Sequence, residues 1–287
     1  MKFGIVTSFG SIHDYVAMAR EAEACGWDGV FAWDDIAAER GGVFDPWVAL
    51  GAMAAVTERI TLGAMVFSLA RRRPWKVARE TITIDQLSNG RFVLPVGLGG
   101  TWDGGYSRVN TEDPARRVRA EKLDECLDIL ELAWSGETVS YEGTHYQMRD
   151  LRFDPRPVQR PRIPIWPVGA WPHPRSLRRA ARWDGVIAAD LSGTADEEEI
   201  SPQAVAGIAA WMAEHRASTD PFEIVTEGVT SGTDPAADRA RLEPLARAGA
   251  TWWIESRWAS DQSPRTLFER IRHGPPRLPA DASSTGD

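Results

Sequence analysis

Five segments of this chain carry residues whose type and spacing suit chemistry. The run Gly29–Trp33 ends in Trp33-Asp34-Asp35, two adjacent carboxylates behind an apolar segment. Such a pair could bind a metal, serve as acid or base, or cap the loop that follows. A second apolar run ends Val96-Gly97-Leu98-Gly99-Gly100. Bare backbone there admits either the close approach of a ligand or a flexible turn. A third ends Val168-Gly169-Ala170-Trp171 and leads into PHPRSLRRAARW, which carries Arg175 and Ser176. Free N–H groups, a helix dipole and a guanidinium would together suit a phosphate, and an ordinary strand-to-helix turn with a basic surface is the alternative. The run Thr251–Glu255 ends in a carboxylate that could face a pocket or pair with an arginine. Arg71-Arg72-Arg73 reads as solvated surface, or, on a pocket rim, as an attractor of anions.

Other chemistries leave little trace. GxSxG, HExxH and Walker patterns are missing, and the histidines at 13, 145, 173, 215 and 273 show no ligand spacing. His173 sits beside a candidate functional turn, between two prolines, and reads as an exposed loop residue. A metal site built on Asp34, Asp35 and Glu255 is the weakest reading, so no metal is expected.

The elements that position these residues follow from hydrophobic period and punctuation. Strands are expected at Phe3–Ser8, Gly29–Trp33, Ile60–Phe67, Arg91–Gly97, Ile163–Val168, Gly185–Ala189, Phe222–Val229 and Thr251–Glu255. Between them lie helices from about His13 to Cys25, from Asp45-Pro46, from Pro74 to Leu87, around Pro202–His215 and at Ala236–Ala248. The rhythm breaks after the fourth strand. Residues 98–115 form a long glycine-containing loop, Asp113-Pro114 opens a helix, and Val139–Tyr146 reads as a small hairpin turning at Glu142-Gly143. Eight strands alternating with helices suggest an α/β fold of the (β/α)₈ barrel type. A doubly wound sheet competes, but the glycine-rich turn follows the fourth strand and no GxGxxG is present there. In a barrel, chemistry belongs at the C-terminal strand ends, where all five segments fall.

Composition narrows the partners. The formal net charge of −8 disfavours a nucleic-acid ligand, and no apolar run approaches membrane-spanning length. MKFGIVTSFG lacks a signal-peptide hydrophobic region, and the two cysteines, Cys25 and Cys126, sit in helical patterns. A cytoplasmic setting is the expectation. Residues 274–287 are polar and rich in Pro, Ser and Gly, and are expected to form a disordered tail.

GWDGVFAWDD, DPWVALGAMAAVTERITLG, RRRPWKVARETITIDQLSNGRFVLPVGLG, RAEKLDECLDILELAWSGE, RPRIPIWPVGAWP, RRAARWDGV and AGATWWIES resemble, in order, segments of the luciferase-like flavin and deazaflavin oxidoreductases. The resemblance implies one (β/α)₈ barrel over residues 1–273, an inserted segment at about 98–160, and a flavin-type cofactor at the strand C-termini. It places the cofactor phosphate on Gly169, Ala170 and Trp171, with Arg175 and Ser176 nearby. A non-proline cis peptide under the ring would fall at Met65-Val66, and Gly97 and Gly99 join the cofactor-binding set. Trp33, Phe67, Trp102 and Glu255 are then the substrate-pocket candidates, and Asp34, Asp35 and Asp103 the catalytic ones.

This sequence departs from the family twice. Asp34-Asp35 stands where deazaflavin members often carry Asp-His, and Gly100 where some members carry an acid, with Asp103 the nearest carboxylate. The Asp-containing second strand end resembles the deazaflavin branch more than the FMN branch. The reading is therefore hydride transfer between coenzyme F-420 and a small organic substrate. An FMN-dependent monooxygenase and a flavin-binding protein without turnover are the rivals. A separate flavin or F-420 reductase and a homodimer are the possible protein partners. The loop 98–115 is expected to cover the substrate side of the ring, with Trp102 as an apolar wall and Asp103 as a proton donor.

Overall fold

Short β-branched and glycine-containing runs, each closed by a helix start, build a ring of parallel strands. The computed structural model describes residues 1–37, 43–109, 112–113, 115–192, 200–258 and 262–278. The strands are β1 (Lys2–Val6), β2 (Gly29–Ala32), β3 (Thr61–Ala64), β4 (Phe67–Ser68), β5 (Leu94–Gly97), β8 (Ile165–Trp171), β9 (Gly185–Asp190), β10 (Glu223–Gly228) and β11 (Trp252–Glu255). β6 (Thr138–Glu142) and β7 (Gln147–Arg152) form a separate antiparallel pair. The large sheet runs β3-β2-β1-β11-β10-β9-β8-β5-β4, every pairing parallel. A parallel bridge between Leu62 and Phe92 joins its two ends, so the barrel is nearly closed.

The expected third strand, Ile60–Phe67, is two pieces. β3 and β4 are separated at Met65-Val66, whose peptide bond is cis. β3 pairs with β2, and β4 with β5, so the two pieces together fill one stave of eight. The expected hairpin at 139–146 is longer than its apolar residues suggested. Its second strand lies at Gln147–Arg152, and the turn at 143–146 is held by the Glu125 carboxylate, which accepts from the amides of Thr144, His145 and Tyr146. Alternating charge in MRDLR hides that strand from a hydrophobic pattern.

Helices α1 (Ile12–Ala24), α2 (Pro46–Ala54), α3 (Pro74–Ser88), α5 (Arg116–Trp134), α6 (Pro174–Ala180), α7 (Pro202–His215), α8 (Pro235–Arg247) and α9 (Pro264–Arg272) surround the ring, and a single turn, α4 (Gly104–Ser107), lies in the long loop. The expected Asp113-Pro114 start to α5 is met in part. Asp113 accepts from Ala115 N at 2.8 Å, while Pro114 lies outside the described residues. Most of the expected tail, from residue 279 on, also lies outside them. Among the described residues no helix is long and apolar enough to cross a membrane.

The lumen is floored by aromatic rings. Phe31 meets Trp252 edge-on at 6.2 Å and Trp166 at 6.4 Å, with Val6, Val93, Ile187, Val225 and Ile254 filling in. Three glycines on adjacent staves make room for Phe31. A Cβ would come 2.6 Å from its ring at Gly4, 2.7 Å at Gly29 and 3.0 Å at Gly63. The strand glycines therefore mark a large ring from a neighbour. Gly4→Ala should destabilise the protein by about 1–3 kcal/mol through overpacking. Urea unfolding checks this: the midpoint should fall at unchanged m-value, and an unchanged midpoint would show that Phe31 can shift freely.

Candidate active site

Above this floor, at the C-terminal strand ends, lies a cavity of about 650 Å³. Trp33, Asp34 and Asp35 enter it from the end of β2, Met65 and Val66 from the break between β3 and β4, and Gly97 to Gly100 from the turn after β5. Ala170 and Ser176 contribute from β8 and α6, and Trp102 stands at the mouth, 80 % exposed. The residues expected at the C-terminal ends of β2, β3 and β5 are thus brought together.

The two adjacent carboxylates have separate fates. Asp34 is buried and fully engaged. Its Oδ1 accepts from Arg71 Nη2 at 2.8 Å and Arg72 Nη2 at 2.6 Å, and its Oδ2 accepts from Ser68 N at 2.9 Å. The Arg71 guanidinium also pairs with Asp103 through Nη1. Asp103 Oδ1 accepts in turn from the amides of Ile36, Ala37 and Gly105 at 3.0–3.2 Å. Asp103 is fully buried, so the expected proton donor on the ring side is placed as the counterion of Arg71 and the cap of α4. Arg71 and Arg72 supply the positive half of this knot rather than a surface or a rim, with only Arg73 left outside it.

Asp35 is different. It is half-buried on the cavity wall, and its carboxylate has no hydrogen-bond partner among the described residues. Burial pushes its pKa up. The charge of Asp103 adds to the push, Arg71 opposes it, and Asp34 adds a smaller increment. A lone carboxyl with a raised pKa on a cavity wall is suited to hold or give up a proton.

The glycine-rich turn is held from behind. Arg119 of α5 donates to the carbonyls of Leu98, at 3.1 Å, and Gly99, and its guanidinium stacks over Tyr106 at 5.2 Å. Tyr106 Oη and Ser68 Oγ share a hydrogen bond of 2.7 Å. Gly99 has φ +71°, and a Cβ there would lie 2.1 Å from Ser68 Oγ, so the turn tolerates no side chain. Gly97 faces the cis bond, where a Cβ would come 2.7 Å from Val66 Cγ2.

Other expected residues lie elsewhere. Gly169 points out of the barrel, with Val186 Cγ2 at 2.4 Å and Leu177 Cδ2 at 3.1 Å from where its Cβ would be. It lets α6 pack on the sheet and makes no room for a ligand, so a bulky residue there tests folding. Trp171 packs against Gly207 of α7, and Arg175 is exposed and does not line the cavity. Phe67 is fully buried in the outer core, stacked on Trp47 at 4.1 Å. Glu255 faces outward beside Trp253. It accepts from Thr230 Oγ1 at 2.6 Å and Arg257 Nε at 2.9 Å, with Arg270 Nε at 3.5 Å. Asp34, Asp35 and Glu255 are therefore not brought together as metal ligands. Among the described residues no group of three His, Cys, Asp or Glu is placed to hold an ion.

Several cavity residues escaped the sequence reading. Arg116, Arg119 and Arg179 bring cations to the wall, and Leu191 and Trp258 add apolar surface. Arg179 is held by Asp124, whose Oδ2 lies 2.9 Å from its Nη2. The arginines sit in amphipathic helix patterns that read as surface, and Trp258 lies in a segment without period. The chain's thirteen tryptophans, many for its length, are the signal that could have pointed to it.

A luciferase-like monooxygenase family model matches residues 1–281. The chain belongs to that family. Over 287 aligned residues it is 30 % identical to a coenzyme F-420-dependent glucose-6-phosphate dehydrogenase of Beutenbergia cavernae, with 90 % of this chain and 82 % of that protein covered. Its fold is similar to that of an F-420-dependent secondary alcohol dehydrogenase solved with an F-420–acetone adduct. The TM-score is 0.78 at 14 % identity, covering 96 % of this chain and 98 % of that one. It is also similar to the monooxygenase RslO1 of Streptomyces bottropensis, with a TM-score of 0.74 at 19 % identity, covering 95 % and 98 %. At these identities the structural likenesses establish the luciferase-like barrel, and the family makes the chain a flavin- or F-420-dependent oxidoreductase.

The different placement of the two aspartates has opposite consequences for stability. Asp34→Asn leaves Arg72 without its anion and should cost about 3–5 kcal/mol. Asp35→Asn removes a charge that folding partly desolvates. Because the folded-state pKa of Asp35 is raised, its ionisation weakens the fold once pH rises past the ordinary carboxylate range. Asp35→Asn should therefore be as stable as the parent in acid and more stable at neutral pH. Urea unfolding from pH 3 to 8 reads both effects, and equal losses for the two variants at neutral pH would remove the distinction.

Proposed function

We propose that this protein is a coenzyme F-420-dependent oxidoreductase that moves a hydride between the coenzyme and a small organic substrate, with Asp35 handling the accompanying proton. The observation that carries the reading is Asp35 itself, the one carboxylate of its cluster left without a hydrogen-bond partner among the described residues and turned to the cavity. The family relationship and the 30 % identical F-420-dependent relative support the choice of coenzyme.

The cavity suits such a group. Its volume is within the usual range for small-molecule sites, and the bare wall at Gly97 and Gly99 has no space for side chains of its own. Arg116, Arg119 and Ser176 would face the anionic part of the coenzyme, and Met65, Val66 and Gly97 its ring. When bound, the coenzyme supplies a two-electron hydride acceptor or donor. The chain's own residues do the rest. Arg119 fixes the glycine turn, and the Asp34–Arg71–Asp103 knot fixes the backbone on either side of Asp35. As the C–H bond of an alcohol breaks, the Asp35 carboxylate takes the hydroxyl proton. In the reverse direction the Asp35 carboxyl returns it to the carbonyl oxygen.

Titration of the purified protein with F-420 and with FMN, each oxidised and reduced, tests the coenzyme. Tighter binding of F-420 is expected. Preferred binding of reduced FMN with oxygen consumption would establish the monooxygenase reading instead. On an F-420-coupled substrate, glucose 6-phosphate and simple alcohols included, Asp35→Asn should lower kcat by about 10²–10⁴-fold with little change in F-420 affinity. For the parent in the alcohol-oxidising direction, rate should fall as pH drops through the raised Asp35 pKa, because the base must be ionised. That limb should vanish in the residual activity of the variant, and its persistence would assign it to another group.

A further inference from the structure

The cavity is chemically two-ended. Its cations, Arg116, Arg119 and Arg179, come from α5 and α6. Its other end, around Asp35, is aromatic and apolar. Trp33, after β2, and Trp258, after β11, meet edge-on there at 5.6 Å, and both line the cavity. Trp33 is fixed from behind, its Nε1 donating to the buried Tyr15 Oη at 2.9 Å. Trp258 is also partly exposed at 39 %. Two indoles in contact on a cavity wall, one of them partly exposed, offer a ligand apolar surface to cover.

Among the described residues, the cations adjoining Asp34 and Trp258 are already committed. Arg71 and Arg72 are taken by Asp34 and Asp103, and Arg257 by Glu255. Among the described residues, no cation lines the cavity at the Trp33–Trp258 end. A phosphorylated substrate placed there would lose its hydration, face the Asp35 carboxylate and gain no counter-charge from the described residues. An apolar body would bury itself against two indoles.

We propose that the substrate is a neutral alcohol or ketone with an apolar body, and that Trp33 and Trp258 select it against sugar phosphates. The proposal rests on the oxidoreductase reading above and sharpens its substrate class. It also identifies the two ends of the cavity, anionic coenzyme at the arginines and apolar substrate at the tryptophans.

Calorimetric titration of the protein with 2-octanone, cyclohexanone and glucose 6-phosphate, alone and with saturating F-420, tests it. At least one ketone should bind, and glucose 6-phosphate should bind about tenfold more weakly or worse. Trp258→Ala changes a half-exposed side chain. It should weaken ketone binding about tenfold, the loss of one buried aromatic contact, while the F-420 titration stays unchanged. Glucose 6-phosphate binding as tight as the ketones, no ketone binding in either condition, or unchanged ketone affinity in Trp258→Ala would each overturn the proposal. The coenzyme reading fails separately, on the F-420 titration. Ketone binding to a protein that ignores F-420 would discard that reading and keep the apolar substrate end.

Discussion

The site depends on one buried ionic knot. Arg71 spans two carboxylates that the chain supplies from distant points, Asp34 at the end of β2 and Asp103 in the loop after β5, and Arg72 adds a second bond to Asp34. Two anions and two cations cancel, so the group can lie out of water without net charge. Removing one member would leave the buried group with an uncompensated charge, which is the costly state. Through the amides of Ile36, Ala37, Ser68 and Gly105 the knot also fixes backbone on three segments that border the cavity. Its role is to specify a geometry, whatever its net contribution to stability.

That neutrality explains how two neighbouring aspartates can do different work. Asp34 uses up the positive charge available behind the wall. Asp35, one residue on, is left with partial burial and the fields of Asp103 and Asp34, opposed by that of Arg71. The raised pKa follows from the arrangement of the whole cluster. A histidine at this position would titrate near neutrality by itself. A carboxylate is raised only where its surroundings penalise its charge, and the closed knot withholds the counter-charge that would relieve it.

Much of the barrel was legible because its grammar is local. Pro46, Pro74, Pro202 and Pro235 each stand at the first turn of a helix, and the apolar runs before and between them became staves. The strand ends could be named for the same reason. The partners across space could not. Nothing local distinguishes Arg71 from a surface arginine, or tells that Gly169 faces Val186 while Gly97 faces the cavity. A register of one residue decides which face of a strand a side chain joins. That is why Glu255, beside the outward Trp253, left the substrate set, while Ala170, beside the outward Gly169, stayed in the cavity wall. The tryptophans divide in the same way. Trp166 and Trp252 floor the lumen, Trp253 packs outside it, and only Trp33, Trp102 and Trp258 reach the cavity.

The same logic explains why the chemistry sits where it does. Below, Phe31, Trp166 and Trp252 close the lumen so tightly that three neighbouring staves carry glycine there, and no polar group could be solvated at that depth. Above, the staves end in residues that must satisfy their own polar atoms, and they do so pairwise, through the knot at β2, through Arg119 at β5 and through Ser176 at β8. Each pairing removes a group from reactivity and makes the wall more rigid. Asp35 stands out against this background of satisfied partners. A reactive group is useful in a rigid wall because its neighbours cannot relax to neutralise it. The paired residues around the cavity are therefore the condition under which Asp35, without a hydrogen-bond partner among the described residues, would serve as the acid and base proposed for it.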